Sequence, residues 1–278
     1  MIRKKSKTDP IRLDVSAHAK LPKLKGLFVV GTSFSVGKTM VAGAIAHRLR
    51  GQGQRVEVFK PVATGCRWER EGLISEEAEF LAACAESRRP LASITPVRYR
   101  PKVSPIAAAQ RAKKAVDLDA VLAAYRSLAG ECDCVLVEGP GSLCTPLTRE
   151  FWTMHFAALT GLSVVVVSGS GLGAISDCLA AVQLARWAGI PTAGVIVNKY
   201  TIDPSAQDAL DKGTDPYTGG DEDLAAYTNC PLIVETSEAE LLAVVPLDEA
   251  SSVERATLGS DVQFAIAQVD WPRIVGLD

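Results

Sequence analysis

Gly26-Leu-Phe-Val-Val-Gly31-Thr-Ser-Phe-Ser-Val-Gly37-Lys38-Thr39 passes from the apolar run Leu27–Val30 through two glycines into an Ala-rich segment, Lys38–Arg50. A short apolar, β-branched run, a glycine loop and helical sequence in that order read as strand, turn and helix. A loop of this kind can turn its backbone N–H groups inward, and the helix behind it adds the positive end of its dipole. The spacing is G-x5-G-K-T, with one residue more between the glycines than the minimal phosphate-loop pattern. The nucleotide-contacting residues expected here are Gly31, Ser35, Val36, Gly37, Lys38 and Thr39. Lys38 would neutralise β- and γ-phosphates, and the Thr39 hydroxyl would ligate Mg²⁺, so the ligand is an ATP-like nucleotide with magnesium. A turn with no ligand is the competing reading, and the joint occurrence of strand, loop, Gly-Lys-Thr and helix weighs against it.

Working outward, β-branched runs alternate with Ala/Leu-rich segments. Strands are expected at Leu27–Val30, Val56–Phe59, Cys134–Glu138, Val164–Val167 and Ala193–Val197. Helices are expected at Lys38–Arg50, Glu76–Glu86, Leu118–Ala129 and Ile175–Ala188, the last closed by Gly189-Ile190-Pro191. Strands apolar on both faces need helices on both sides, so the fold class is α/β: P-loop NTPase-like, with a mainly parallel sheet. Further strand material is expected at Leu232–Val234 and Leu241–Val245, and a final helix at Val253–Val269, weakened by Gly259. Residues 1–25 form a basic N-terminal arm with eight Lys/Arg against two Asp, read as a flexible tail. Residues 26–278 form one domain, with an acidic, glycine-containing loop over 203–223.

Four side chains outside the loop carry chemistry. Lys60 stands just past the expected strand Val56–Phe59, at the end of a parallel sheet that faces the ligand crevice. There its ammonium would stabilise charge on a transferring phosphoryl group; alone it would be an ordinary surface lysine. Glu138 closes the strand Cys134–Glu138 and precedes Gly139-Pro140-Gly141, the place of a magnesium-binding acid. Glu77 opens a helix, where metal binding and favourable interaction with the helix dipole are both open readings. Asn198 follows the strand Ala193–Val197, where a base commonly sits; Thr201 occupies the position of the acid in a guanine-reading N-K-x-D, which favours adenine.

Bulk properties exclude several classes. The net charge of −2 gives no global attraction to nucleic acid or to acidic membranes. The longest apolar run is far too short to span a bilayer, and the N-terminus has no secretory apolar region. Seven cysteines without a C-x-x-C pair read as reduced thiols in a cytoplasmic protein.

Together these residues resemble the dethiobiotin synthetase family. The likeness runs through the phosphate loop, Lys60-Pro-Val-Ala-Thr-Gly65, Glu71-Gly72-Leu73 with Glu77, Ser104-Pro105, Val137-Glu138-Gly139, Leu172-Gly173 and Val197-Asn198, with a weaker echo at Leu242–Pro246. It implies a P-loop carboligase using ATP, Mg²⁺, CO₂ and the diamine 7,8-diaminononanoate, and acting as a homodimer. By that resemblance Lys38, Lys60 and Thr64 serve catalysis, Thr39, Glu77 and Glu138 surround Mg²⁺, and Asn198 and Pro246 border adenine. The sequence departs from the family at Ser35 (usually acidic), Glu77 (usually Asp), Pro140 and Ser142 (in place of Ala and Gly), and Ser176-Asp177 (usually Asn-His). These departures leave two alternatives: a related ATP-dependent ligase acting on another amine or acid, or a non-catalytic nucleotide-binding paralogue.

Overall fold

The computed structural model describes residues 20–70, 72–214 and 220–277. β1 (Gly26–Gly31) leads through the glycine loop into α1 (Lys38–Gly51), and then come β2 (Val56–Phe59) and the short β3 (Val62–Thr64). The hairpin strands β4 (Arg67–Glu69) and β5 (Gly72–Ile74) precede α2 (Glu76–Ala85), α3 (Leu91–Ile94), β6 (Val97–Tyr99), α4 (Pro105–Ala112) and α5 (Leu118–Arg126). β7 (Cys134–Glu138), α6 (Thr153–Thr160), β8 (Ser163–Ser168), α7 (Ala174–Trp187) and β9 (Thr192–Tyr200) follow. The chain continues with α8 (Pro204–Lys212), α9 (Gly220–Ser237), β10 (Leu241–Pro246), α10 (Ser260–Ala267) and α11 (Trp271–Val275).

Six strands form one parallel sheet in the order β10-β9-β8-β1-β7-β2. Because side chains alternate along a strand, β1 sends Leu27 and Val29 to one layer and Phe28 and Val30 to the other. The first layer is closed by α1, α2, α10 and α11, with Trp271 fully buried; the second by α5, α6 and α7. Gly43 allows α1 to meet α2 closely, since a Cβ there would collide with the Phe80 ring. In the second layer Phe28, Phe59, Tyr125 and Phe156 interlock edge to face, with centroids 5.8 Å apart for Phe28–Phe156 and 5.7 Å for Tyr125–Phe156. Phe156→Ala is expected to cost about 3–5 kcal/mol, read as a lower urea midpoint at unchanged m-value. Leu21 and Leu24, at the end of the basic segment, pack against this layer; residues 1–19 lie outside the described part. Among the described residues no helix is long and apolar enough to cross a membrane.

Three expectations are corrected. The apolar triplet Leu232–Val234 is helical and belongs to α9: only Ile233 is buried, whereas Leu232 and Val234 are 39% and 38% exposed. An isolated β-branched triplet does not decide between helix and strand, and here the helix is already running from Gly220. The segment 203–223 is not one solvated loop. The Asp203 carboxylate caps α8 by accepting from the Ser205 and Ala206 N–H groups, and Asp208 pairs with Lys212 one turn along at 2.6 Å. Asp221, Glu222 and Asp223 fill the first turn of α9, where the dipole favours acids; residues 215–219 are outside the description. Finally, the helix expected from Val253 starts at Ser260, because Gly259 sits at its N-cap with extended backbone.

Candidate active site

A parallel sheet directs the C-terminal ends of its strands toward one rim, and the loops that leave them share a crevice. A cavity of about 840 Å³ lies along this rim. Lys38 and Thr39 enter it from the start of α1, Lys60 and Thr64 from the ends of β2 and β3, and Glu77 from the first turn of α2. Glu138 enters from the end of β7, Asn198 from β9 and Pro246 from β10; Ser35 and Gly37 also line it. The structure thus brings together ten of the sequence-derived residues in one cavity. Gly31 and Val36 do not line it. Gly31 closes β1 and donates its N–H to the Gly141 carbonyl at 2.9 Å, and Val36 contributes a carbonyl that accepts from Asn198 Nδ2 at 2.8 Å.

At the centre is a compact ionic cluster. Lys60 is 3% exposed, and its Nζ lies 2.7 Å from Glu138 Oε1 and 2.8 Å from Glu77 Oε2. The Thr39 hydroxyl donates to the same Glu138 Oε1 at 2.9 Å. The second carboxylate oxygen, Glu138 Oε2, is buried with no hydrogen-bond partner among the described residues. Burial opposes the charge on Lys60, but the Glu138 and Glu77 carboxylates outweigh it and raise the pKa above the ordinary lysine value. Burial raises Glu138 above the usual carboxylate range, with Lys60 opposing and Glu77 reinforcing the shift. Burial would also raise Glu77, but the facing Lys60 ammonium prevails and lowers it. Lys38 is lowered, first by burial and then by repulsion from Lys60, with Glu138 opposing; its Nζ folds back onto the Ser33 carbonyl at 3.0 Å.

The loop itself is an open donor cradle. Ser35 and Gly37 have left-handed backbones, with φ of 63° and 88°. Among the described residues the N–H groups of Ser33 to Gly37 find no acceptor, and the first bond of α1 runs from the Val41 N–H to the Gly37 carbonyl. The opening N–H groups of the helix that follows are also left over, and the two sets together form a site suited to an anion. Gly37 is needed at its position: besides its positive φ, a Cβ there would collide with Asn198 Nδ2.

The donor set also fits magnesium. Thr39, Glu77 and Glu138 supply a hydroxyl and two carboxylates, all hard oxygen donors, and Glu138 Oε2 is an acceptor without a partner among the described residues. Among the described residues no cluster of three His, Cys, Asp or Glu side chains forms a complete metal cage. Magnesium characteristically needs only one or two carboxylates, with water and phosphate oxygens completing its shell.

Several residues on the cavity wall are not marked out by the sequence. Phe34 is 52% exposed within the phosphate loop, and Lys38 Nζ lies 5.7 Å from its ring centroid. Lys102 and Val103 join Thr64 on the β3 side, and Asp248 and Ser251 continue past Pro246. Apart from Phe34, which occupies an unspecified position of the phosphate loop, none of these carries a short-range motif. The one available signal is adjacency, since Lys199 directly follows Asn198 and Leu247 follows Pro246.

A family model described as AAA domain matches residues 25–255. ATP-dependent dethiobiotin synthetase BioD of Anaeromyxobacter dehalogenans strain 2CP-C is 31% identical over 237 residues, spanning 85% of this chain and 96% of that protein. The same-named proteins of Nitrosospira multiformis and Aromatoleum aromaticum are 36% and 33% identical, over 65% and 79% of this chain and 77% and 89% of their own lengths. Among solved structures, the MinC:MinD cell division protein complex of Aquifex aeolicus aligns with a TM-score of 0.57 at 14% identity, covering 91% of this chain and 96% of that one. MinD with Mg-ADP from Pyrococcus horikoshii aligns with a TM-score of 0.51 at 17% identity, covering 88% and 93%. Those two likenesses concern the fold, which is that of the P-loop nucleotide-binding proteins. Identity above 30% carried across nearly the whole of a relative, together with a family match over residues 25–255, places the chain in the dethiobiotin synthetase family.

Proposed function

We propose that the protein is an ATP-dependent dethiobiotin synthetase, closing the cyclic urea of dethiobiotin from 7,8-diaminononanoate and CO₂. The observation that carries this reading is the convergence of Lys38, Lys60, Thr39, Glu77 and Glu138 in one cavity beside an unsatisfied N–H cradle. In the reaction one amine adds to CO₂ and loses a proton, giving a carbamate. A carbamate oxygen attacks the γ-phosphorus and the bond to ADP breaks. The second amine then attacks the carbonyl carbon of the mixed anhydride, expels phosphate and closes the ring.

Each step develops negative charge at the same place, which is where fixed cations help most. The loop N–H groups and Lys38 hold the phosphates, whose charge offsets the burial that lowers the Lys38 pKa. Lys60, kept charged by its two carboxylates, faces the transferring phosphoryl group. Thr39, Glu77 and Glu138 would hold Mg²⁺, which when bound would supply charge neutralisation to the phosphates. Thr64 borders the amine substrate, and Asn198 and Pro246 border adenine. The family relationship carries the homodimer and the cytosolic setting into the same reading.

A second reading, a related ligase for another amine or acid, is favoured by one observation: Pro140, which stands where the family has a small residue, lines the cavity. Incubation with 7,8-diaminononanoate, bicarbonate and Mg-ATP separates the two. ADP release that depends on the diamine supports the synthetase. ADP release with another amine or acid and none with the diamine supports the second reading, and no ADP release with any of them removes both.

A further inference from the structure

Phosphate loops hold their shape through bonds made by their carbonyls, because their N–H groups must stay free for the ligand. Here, beside the local bonds from Ser33 Oγ and Lys38 Nζ, two such bonds come from one dipeptide on a distant strand. Asn198 Nδ2 donates to the Val36 carbonyl at 2.8 Å, and Lys199 Nζ donates to the adjacent Ser35 carbonyl at 2.8 Å, across 162 and 164 positions of chain. The Lys199 stem also runs within 3.8 Å of where a Cβ on Gly37 would be. Ser35 and Lys199 are both non-glycine residues in left-handed backbone, with φ of 63° and 57°. Such residues are uncommon and persist where the surroundings hold them. Here the two are bonded to each other.

We infer that Lys199 is a positioning residue that latches the phosphate loop to the end of β9 and sets nucleotide affinity. Its bond to Ser35 keeps that carbonyl turned to the β9 side, so the N–H groups of Ser33 to Gly37 stay open to phosphate. The position matters because this chain has a serine at residue 35, whose own side chain makes no hydrogen bond among the described residues. Lys199 acts on the backbone there, through a charge-assisted bond.

The inference rests on ATP binding at the loop, as proposed above, but not on the identity of the amine. Its test therefore uses Mg-ATP alone, with binding measured calorimetrically on the full chain for wild type, Lys199→Met and Lys199→Arg. Loss of one charge-assisted bond on a partly exposed loop is expected to weaken binding about tenfold in Lys199→Met, with Lys199→Arg within about threefold of wild type. In the nucleotide-free protein, amide exchange at the two ends of the loop, where Thr32 N–H bonds the Val167 carbonyl and Val41 N–H bonds the Gly37 carbonyl, is expected to rise in Lys199→Met while exchange within β8 stays unchanged. Wild-type affinity in Lys199→Met overturns the latch. So does weakened binding without faster loop exchange, which would make Lys199 a remote charge. Equal weakening by Arg and Met, with both melting lower, would reduce it to general stability. No Mg-ATP binding by wild type would remove the functional proposal itself.

Discussion

Lys60→Met is expected to lower turnover by on the order of 10³-fold while leaving Mg-ATP affinity within a small factor of wild type. The ammonium is bonded to Glu138 and Glu77 rather than to loop groups. Its loss removes charge stabilisation from the transferring group but leaves the N–H cradle and Lys38 in place. The same substitution leaves the buried Glu138 carboxylate and the half-buried Glu77 without their shared cation. Breaking a buried pair from one side costs about 3–5 kcal/mol, and a value near the lower end is expected because Glu77 is partly solvated. Adding Glu138→Gln to Lys60→Met should recover part of that stability, since the buried charge then disappears with its partner, but none of the activity. Single-turnover kinetics and urea melts on the two variants separate chemistry from folding. An active Lys60→Met enzyme would remove this lysine from the reaction.

Glu138→Gln carries the second large effect. The carboxylate has one oxygen engaged by Lys60 and Thr39 and one without a partner among the described residues. An amide keeps the shape but loses the anionic donor, so turnover is expected to fall by roughly 10²–10³-fold. The magnesium concentration for half-maximal activity should rise, because Thr39 and Glu77 remain as the protein's donors. Lys60 keeps Glu77 as its partner, so the stability loss should be smaller, about 1–3 kcal/mol. A magnesium titration at saturating ATP checks this. An unshifted midpoint would mean that the buried acid serves only to hold Lys60.

Much of this site is legible in the sequence because its chemistry is local. The phosphate loop is a continuous segment whose strand, glycines and helix all adjoin one another along the chain, and Lys60 and Glu138 each end an apolar run that can be recognised alone. Which side chains touch is not legible. By sequence Glu77 is open between helix-dipole stabilisation and metal binding; only the fold shows it reaching back to Lys60. Asn198 reads as a residue bordering adenine, and its amide clamps Val36, 162 positions away. Lys199 fills the second place of the incomplete N-K-x-D, which says nothing of the phosphate loop, and its bond to Ser35 is visible only in the fold.

The departures in the fold have the same origin. Leu232–Val234 has strand composition, yet its fate is decided by the helix entering from Gly220 and by the Asn229 amide fastening that helix to the Ser170 and Gly171 carbonyls. The acidic residues between 203 and 223 read as solvated loop because charge alone does not distinguish a loop from the two ends of adjacent helices. Propensity is a weak prior where tertiary contacts choose.

Oxygen isotope transfer tests most directly whether the amine-derived carbamate attacks the terminal phosphate held between Lys38 and Lys60. With ¹⁸O-labelled bicarbonate, the diamine and unlabelled Mg-ATP and water, run before the label exchanges, the released phosphate should carry one ¹⁸O atom per turnover from the carbamate. Phosphate that acquires no bicarbonate oxygen, and takes its new oxygen only from water, would show that these cations promote hydrolysis and that the carboligase reading is wrong.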